Sequence, residues 1–161
     1  MGDSCSRTYG GSNRGCNSLG VTLGASNLLK IGAKPMALHN HILLNGYVNN
    51  PPQSEEQTIE WMRKLVSDID MKILQGPYSS YVSKEGNRGL TATVMIETSH
   101  IALHVWDEEQ PALLQFDLYT CSTLPVKKVI KSLDDFMGLK NYWYMVMERR
   151  NGFNILETHT V

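Results

Sequence analysis

Residues 89–120, GLTATVMIETSHIALHVWDEEQPALLQFDLYT, decide the fold of this 161-residue chain. Three runs in it, 90–97, 101–106 and 113–120, are rich in β-branched, aromatic and aliphatic residues, which is typical of strands. The first break between them is Thr98-Ser99-His100, and the second is the acidic turn at 107–111. Consecutive strands joined by such short turns predict an antiparallel sheet, and both turns are candidate functional loops.

The flanking sequence adds two helices and further strands. Residues 36–47 read as a first strand, and Ser54 with Gln57 has the pattern of a capping box that begins a helix ending near Asp70. Residues 71–74 predict another strand, followed by an irregular stretch from Gly76 to Gly89. A second helix is predicted between Pro125 and Gly138, and a last strand over 142–148.

This order predicts an α+β domain, an antiparallel β-sheet with two helices packed on one face. We assign residues 36–150 to that domain. Residues 1–35 are rich in Gly, Ser and Asn and are expected to form a flexible N-terminal tail, with residues 151–161 as a C-terminal tail.

The composition of the chain narrows the classes of function that we expect. Fifteen basic and 16 acidic side chains leave a net charge of -1, which argues against a nucleic-acid partner, and no apolar run is long enough to cross a membrane. The three cysteines form no CxxC pair, so we expect a reducing, cytoplasmic compartment and neither a disulfide framework nor a cysteine-rich zinc site. A small-molecule ligand is therefore expected.

A serine in a strained turn can cleave the chain that carries it. Its hydroxyl can attack the carbonyl just before it and turn the peptide bond into an ester. β-Elimination and hydrolysis then leave a pyruvoyl group, which forms a Schiff base with a substrate amine and accepts electrons as CO2 leaves. Such chemistry needs a nearby base and a proton donor.

GLTATVMIETSHIALHVW followed by FDLYTC resembles the processing region of the bacterial-type pyruvoyl-dependent S-adenosylmethionine decarboxylases. The family pattern there is Gly-Val-Ser-Gly, a strand, Glu-Ser-His, then His-Thr-Trp and Phe-Thr-Cys. The resemblance covers roughly residues 36–150. It implies a self-processing proenzyme that decarboxylates S-adenosylmethionine to the aminopropyl donor for spermidine synthesis, and protomers that pair as a homodimer with sites near the interface.

The resemblance also implies site residues. Cleavage is expected between Thr98 and Ser99, and Ser99 would become the pyruvoyl cofactor. His104 and Thr91 fall on the processing histidine and the processing hydroxyl, and Cys121 falls on the proton-donating cysteine. The acidic substrate-binding position falls on Glu108.

Two alternatives remain open. The family usually has Glu before the cleavage serine, whereas here Thr98 takes that place and Glu97 is displaced by one. The chain is then either an uncleaved, non-catalytic relative that binds a ligand or a partner, or a pyruvoyl decarboxylase of another amino acid. A metal site formed by His39, His41, His100 and His104 is a third interpretation that the sequence disfavours, because no acid or cysteine accompanies them at a recognised spacing.

Overall fold

The computed structural model describes residues 37–161. The predicted tail over residues 1–35 lies outside the described residues. The described part forms seven strands and two helices: β1 Asn40–Val48, α1 Glu55–Asp68, β2 Ile73–Val82, β3 Gly89–Ile96, β4 Ser99–Trp106, β5 Ala112–Thr120, α2 Val126–Met137, β6 Leu139–Glu148 and β7 Asn154–Thr160. Neither helix is long and apolar enough to cross a membrane.

All seven strands belong to one antiparallel sheet in the order β2-β3-β4-β5-β1-β6-β7. The β3–β4–β5 meander predicted from residues 89–120 is confirmed, and β1, the first strand in the chain, lies between β5 and β6. Sequence therefore predicted the fold class correctly, as an α+β domain with an antiparallel sheet and two helices.

The helix ends follow from local sequence. Ser54 caps α1, because its Oγ accepts the backbone N–H of Gln57 at 3.2 Å, but the Ser54 hydroxyl donates to Glu56 and no return bond from the Gln57 side chain forms. α2 starts after Pro125 and stops at Gly138, whose φ of +66° is the left-handed conformation that glycine adopts without strain.

The core lies between the helices and one face of the sheet. Alternate strand residues such as Ile42, Leu103 and Leu118 are fully buried together with Met62 and Leu133 of the two helices. The intervening strand residues point to the opposite side of the sheet. We call that side the helix-free face; its members include the following residues: His41, Leu43, Asn45, Thr91, Met95, His100, His104, Gln115, Asp117, Tyr119, Trp143 and Met145.

Two segments differ from expectation. β2 was predicted to end at Leu74, but it continues to Val82 past Gly76 and Pro77, with irregular pairing between Gln75 and Tyr78. Pairing with the well-formed β3 holds this segment extended in spite of its turn residues.

The C-terminal tail expected over residues 151–161 is instead largely a strand. β7 pairs with β6 along its length, and the Tyr144 hydroxyl donates to Glu157 at 2.6 Å. All seven β7 residues are exposed, so the segment lacks the alternation of buried and exposed positions that sequence reasoning relies on. Backbone pairing to a distant strand creates β7.

Candidate functional site

Ser99 begins β4, directly after the two-residue turn Glu97-Thr98 that closes the β3–β4 hairpin. It pairs with Ile96 on one side and with Thr120 on the other. Its φ is +149°, a region that residues with a Cβ rarely adopt. Two ladders therefore hold the candidate cleavage serine in a strained backbone, as the chemistry of an attacking turn serine requires.

The carbonyl that Ser99 would attack is also held. The backbone N–H of Cys121 donates to the Thr98 oxygen at 3.0 Å, because Cys121 directly follows β5, the neighbour of β4. A hydrogen-bond donor on a carbonyl oxygen favours nucleophilic attack, since it stabilises the negative charge that develops there. Cys121 is half-buried with a free thiol, and its backbone lies beside the Thr98–Ser99 bond.

A chain of polar contacts leads away from the Ser99 hydroxyl. Ser99 Oγ lies 3.1 Å from His100 Nδ1, and His100 Nε2 lies 3.3 Å from Asp117 Oδ2. The same carboxylate oxygen lies 3.4 Å from His41 Nε2, and Arg149 donates to His41 Nδ1 at 3.3 Å. Asp117 is thus placed between two imidazoles on the helix-free face.

Sequence reasoning missed Asp117 and Arg149, and it assigned no catalytic role to His41 or His100. The face of Asp117 could have been read from the alternation of FDLYTC, where Phe116 and Leu118 are buried. No local signal places Arg149 there: it stacks on the Tyr119 ring at 4.4 Å only because β6 lies next to β1 in the sheet.

The four histidines do not converge. His39 Nδ1 contacts the Tyr119 hydroxyl at 2.7 Å, and His104 lies four residues along β4 from His100, about 13 Å at the usual strand rise. Within residues 37–161 no group of three or more His, Cys, Asp and Glu side chains is arranged to hold a metal ion.

The side chains of His104 and Thr91 contact each other, but neither contacts Ser99 of the same chain. They face each other across β3 and β4, with Thr91 Oγ1 and His104 Nδ1 3.1 Å apart, and the His104 ring stacks on Trp106. His104 follows Ser99 by five positions along β4, which is about 16 Å at the usual strand rise. The Thr91–His104 pair and the Ser99 turn therefore lie apart in one protomer, and we call them the two candidate half-sites.

Glu108 lies still farther away, beyond the opposite end of β4. It is exposed and accepts the backbone N–H of Gly86. Its neighbour Asp107 is almost fully buried and binds Arg88 and the Tyr81 hydroxyl, each at 2.8 Å. Burial alone would raise the pKa of Asp107, but these two hydrogen bonds outweigh it and lower the pKa.

A cavity of about 380 Å³ opens on the helix-free face over strands β5, β1 and β6, beside His104. Its lining residues include His104, Asp117, Asn45, Gln115 and Trp143. The Oδ1 atom of Asn45 is buried and has no hydrogen-bond donor within residues 37–161. An amide oxygen in that position is able to accept a hydrogen bond from a bound molecule.

Comparison with known proteins shows the family of the chain. Residues 40–150 match the model of the family described as S-adenosylmethionine decarboxylase, over well more than half of the chain. The chain belongs to the S-adenosylmethionine decarboxylase family. The match starts at the first residue of β1 and ends just after β6, so it takes in both half-sites but not β7.

Individual relatives share low sequence identity with the chain over about half of its length. The chain is 30% identical over 84 residues to an S-adenosylmethionine decarboxylase proenzyme of Clostridium botulinum, covering 51% of this chain and 67% of that relative. It is 28% identical over 91 residues to the proenzyme of the same name from Archaeoglobus fulgidus, covering 56% of this chain and 80% of the relative. The family resemblance predicted from residues 36–150 is thus confirmed.

Proposed function

We propose that this protein is a pyruvoyl-dependent S-adenosylmethionine decarboxylase that cleaves itself between Thr98 and Ser99. The observation that carries the proposal is the Ser99 turn, in which a strained serine has its hydroxyl on an imidazole and the preceding carbonyl on the Cys121 N–H. Its product would be the aminopropyl donor for spermidine synthesis. The relatives named above as proenzymes support both the substrate and the processing.

The residues at the turn fit a pyruvoyl group formed from Ser99. Such a group would supply an electron sink for the loss of CO2 from a bound α-amino acid. The backbone contact with Thr98 brings Cys121 to the turn, so its thiol is the candidate donor that returns a proton to the substrate carbon. The cavity lined by Asp117 and His104 offers room for substrate on the helix-free face. Thr98 in place of Glu leaves these contacts intact, because it is the backbone of Thr98, not its side chain, that meets Cys121.

The two half-sites are best joined by a second copy of this chain. The helix-free face exposes large apolar side chains, with Leu43, Met95 and Trp143 between 38% and 50% exposed. Sheets cover such faces by packing on one another. In a face-to-face homodimer, Thr91 and His104 of one protomer would act at Ser99 of the other, with Glu108 serving as a substrate-binding residue at the interface.

Mass spectrometry of the purified full chain tests self-cleavage. We expect two fragments that separate before Ser99, the second starting with a pyruvoyl group, and release of CO2 from carboxyl-labelled S-adenosylmethionine. Ser99→Ala should abolish both, while Ser67→Ala on the exposed side of α1 should change neither. A wild-type chain that stays intact would favour the uncleaved relative, and cleavage without activity on S-adenosylmethionine would favour another amino acid as substrate.

Mixing two inactive variants tests the dimer. Ser99→Ala keeps a complete Thr91–His104 pair, and His104→Ala keeps a complete Ser99 turn. Unfolding and refolding them together should restore cleavage of the His104→Ala chain if the pair acts across the interface. Absence of complementation, or a wild-type protein that sediments as a monomer at micromolar concentration, would contradict the proposed assembly.

A further inference from the structure

The Ser99 hydroxyl has a base within hydrogen-bonding distance that the family resemblance does not assign. His100 Nδ1 lies 3.1 Å from Ser99 Oγ, whereas His104 lies about 16 Å away on the same strand. The His100 side chain is 45% exposed and is fixed between the serine and Asp117. Proton transfer requires a base in contact with the hydroxyl, so His100 meets this condition within one protomer.

The contacts around His100 also favour the tautomer that can accept the proton of Ser99. Arg149 can only donate, so His41 Nδ1 accepts and His41 Nε2–H donates to Asp117. An ionised carboxylate at 3.3 Å favours a proton on His100 Nε2 as well. His100 Nδ1 then carries the lone pair that faces the serine hydroxyl, which is the form that a general base needs.

We propose that His100 is the general base that starts self-cleavage, with Asp117 as its positioning residue. This inference rests on the proposed function and deepens it. His41 and Arg149 hold the Asp117 carboxylate in place, and the Cys121 N–H stabilises the oxyanion that forms on Thr98.

The step is a transfer of the Thr98 acyl group from nitrogen to oxygen. His100 Nδ1 takes the proton of Ser99 Oγ–H as Oγ bonds to the Thr98 carbonyl carbon. The bond from that carbon to the Ser99 nitrogen then breaks, and His100 returns the proton to this nitrogen. The product is an ester between Thr98 and Ser99 Oγ with a free Ser99 amine, and no other reactant is consumed. Asp117 stabilises the imidazolium that exists between the two proton transfers.

With this assignment, two histidines act on two different steps of self-cleavage. His100 acts on the first step, formation of the ester, and His104 acts on the second, removal of the proton that drives ester elimination. The two roles leave different products when each residue is removed. Hydroxylamine at neutral pH cleaves an ester and leaves ordinary peptide bonds intact, whereas the Asn-Gly bonds at 45–46 and 151–152 need alkaline hydroxylamine. A cut after Thr98 at neutral pH therefore distinguishes the two products.

The experiment follows cleavage of full-length His100→Ala, His104→Ala and wild-type chains by mass spectrometry, with and without hydroxylamine. His159→Ala on β7, outside the Ser99 site, is the matched control and should cleave like wild type. We expect His100→Ala to cleave at least about 100-fold more slowly and to stay resistant to hydroxylamine. His104→Ala should accumulate a chain that hydroxylamine splits at Thr98.

Two further measurements separate catalysis from a folding defect. Free imidazole should accelerate cleavage of His100→Ala, because the truncation leaves a space beside Ser99 and Asp117 that the added base can occupy. Asp117→Asn, which keeps the shape of the side chain, should slow cleavage about 100-fold and alter its pH profile while far-UV circular dichroism stays unchanged.

The outcomes are distinguishable. Cleavage of His100→Ala within threefold of the wild-type rate, or a hydroxylamine-sensitive chain in that variant, would overturn the role of His100 while the proposed function stands. A wild-type chain that never cleaves would overturn both.

Discussion

Replacing Ser99 by glycine or by alanine measures the strain in the cleavage turn. Both variants lack the hydroxyl and stay uncleaved, and both lose the contact with His100. At φ +149° a residue with a Cβ costs about 1–3 kcal/mol, whereas glycine in an extended segment costs about 0.5–1 kcal/mol in entropy. We therefore expect Ser99→Gly to exceed Ser99→Ala in free energy of unfolding by about 1 kcal/mol.

Thermal or urea unfolding followed by circular dichroism gives this difference directly, and about 1 kcal/mol corresponds to roughly 3–5 °C in a domain of this size. Thr158 of β7 offers the control, since it is exposed and pairs regularly with Met145 of β6. There the order should reverse, with alanine more stable than glycine by about 0.5–1 kcal/mol. Equal stability of the two Ser99 variants, or a more stable alanine variant, would refute the argument that the turn is strained.

Three more predictions concern single residues. Cys121→Ala should spare self-cleavage, which needs only the backbone N–H, and reduce decarboxylation by about 100-fold, as fragment analysis and CO2 release would show. Gly89→Ala should unfold at least about 2 kcal/mol more easily in urea, since an added Cβ would lie 1.9 Å from the Val105 carbonyl oxygen. The pKa of Asp107 is lowered by its hydrogen bonds from Arg88 and Tyr81, so its stabilising contribution is present above about pH 4 and lost as pH falls below that value. Asp107→Asn should accordingly lower the thermal midpoint at pH 7 but have little further effect near pH 2, where a loss of the same size would contradict this reasoning.

Much of the fold could be read from local sequence. The strand-forming composition and the turns of residues 89–120 predicted the β3–β4–β5 meander, and Ser54, Pro125 and Gly138 predicted where the helices begin and end. These features depend on neighbours in the chain, so a single sequence contains them. β7 was missed because its strand conformation comes from pairing with β6.

For the candidate site too, the sequence predicted some of the residues, and only the structure showed their arrangement. The resemblance named Ser99, Thr98, Cys121, Thr91, His104 and Glu108, and their roles remain predictions. Position along the strands shows that these residues do not form one cluster within a protomer. His41 and His100, which the sequence disfavoured as metal ligands, both contact Asp117.

The sequence by itself determined the meander, the helix caps and the turn that carries Ser99, because spacing and turn chemistry are properties of neighbouring residues. Only the tertiary structure decided what surrounds that turn. β5 brings the Cys121 N–H and Asp117 to it, while β1 and β6 add His41 and Arg149. Those contacts join residues up to 108 positions apart in the chain, and a linear pattern does not encode which distant strands become neighbours.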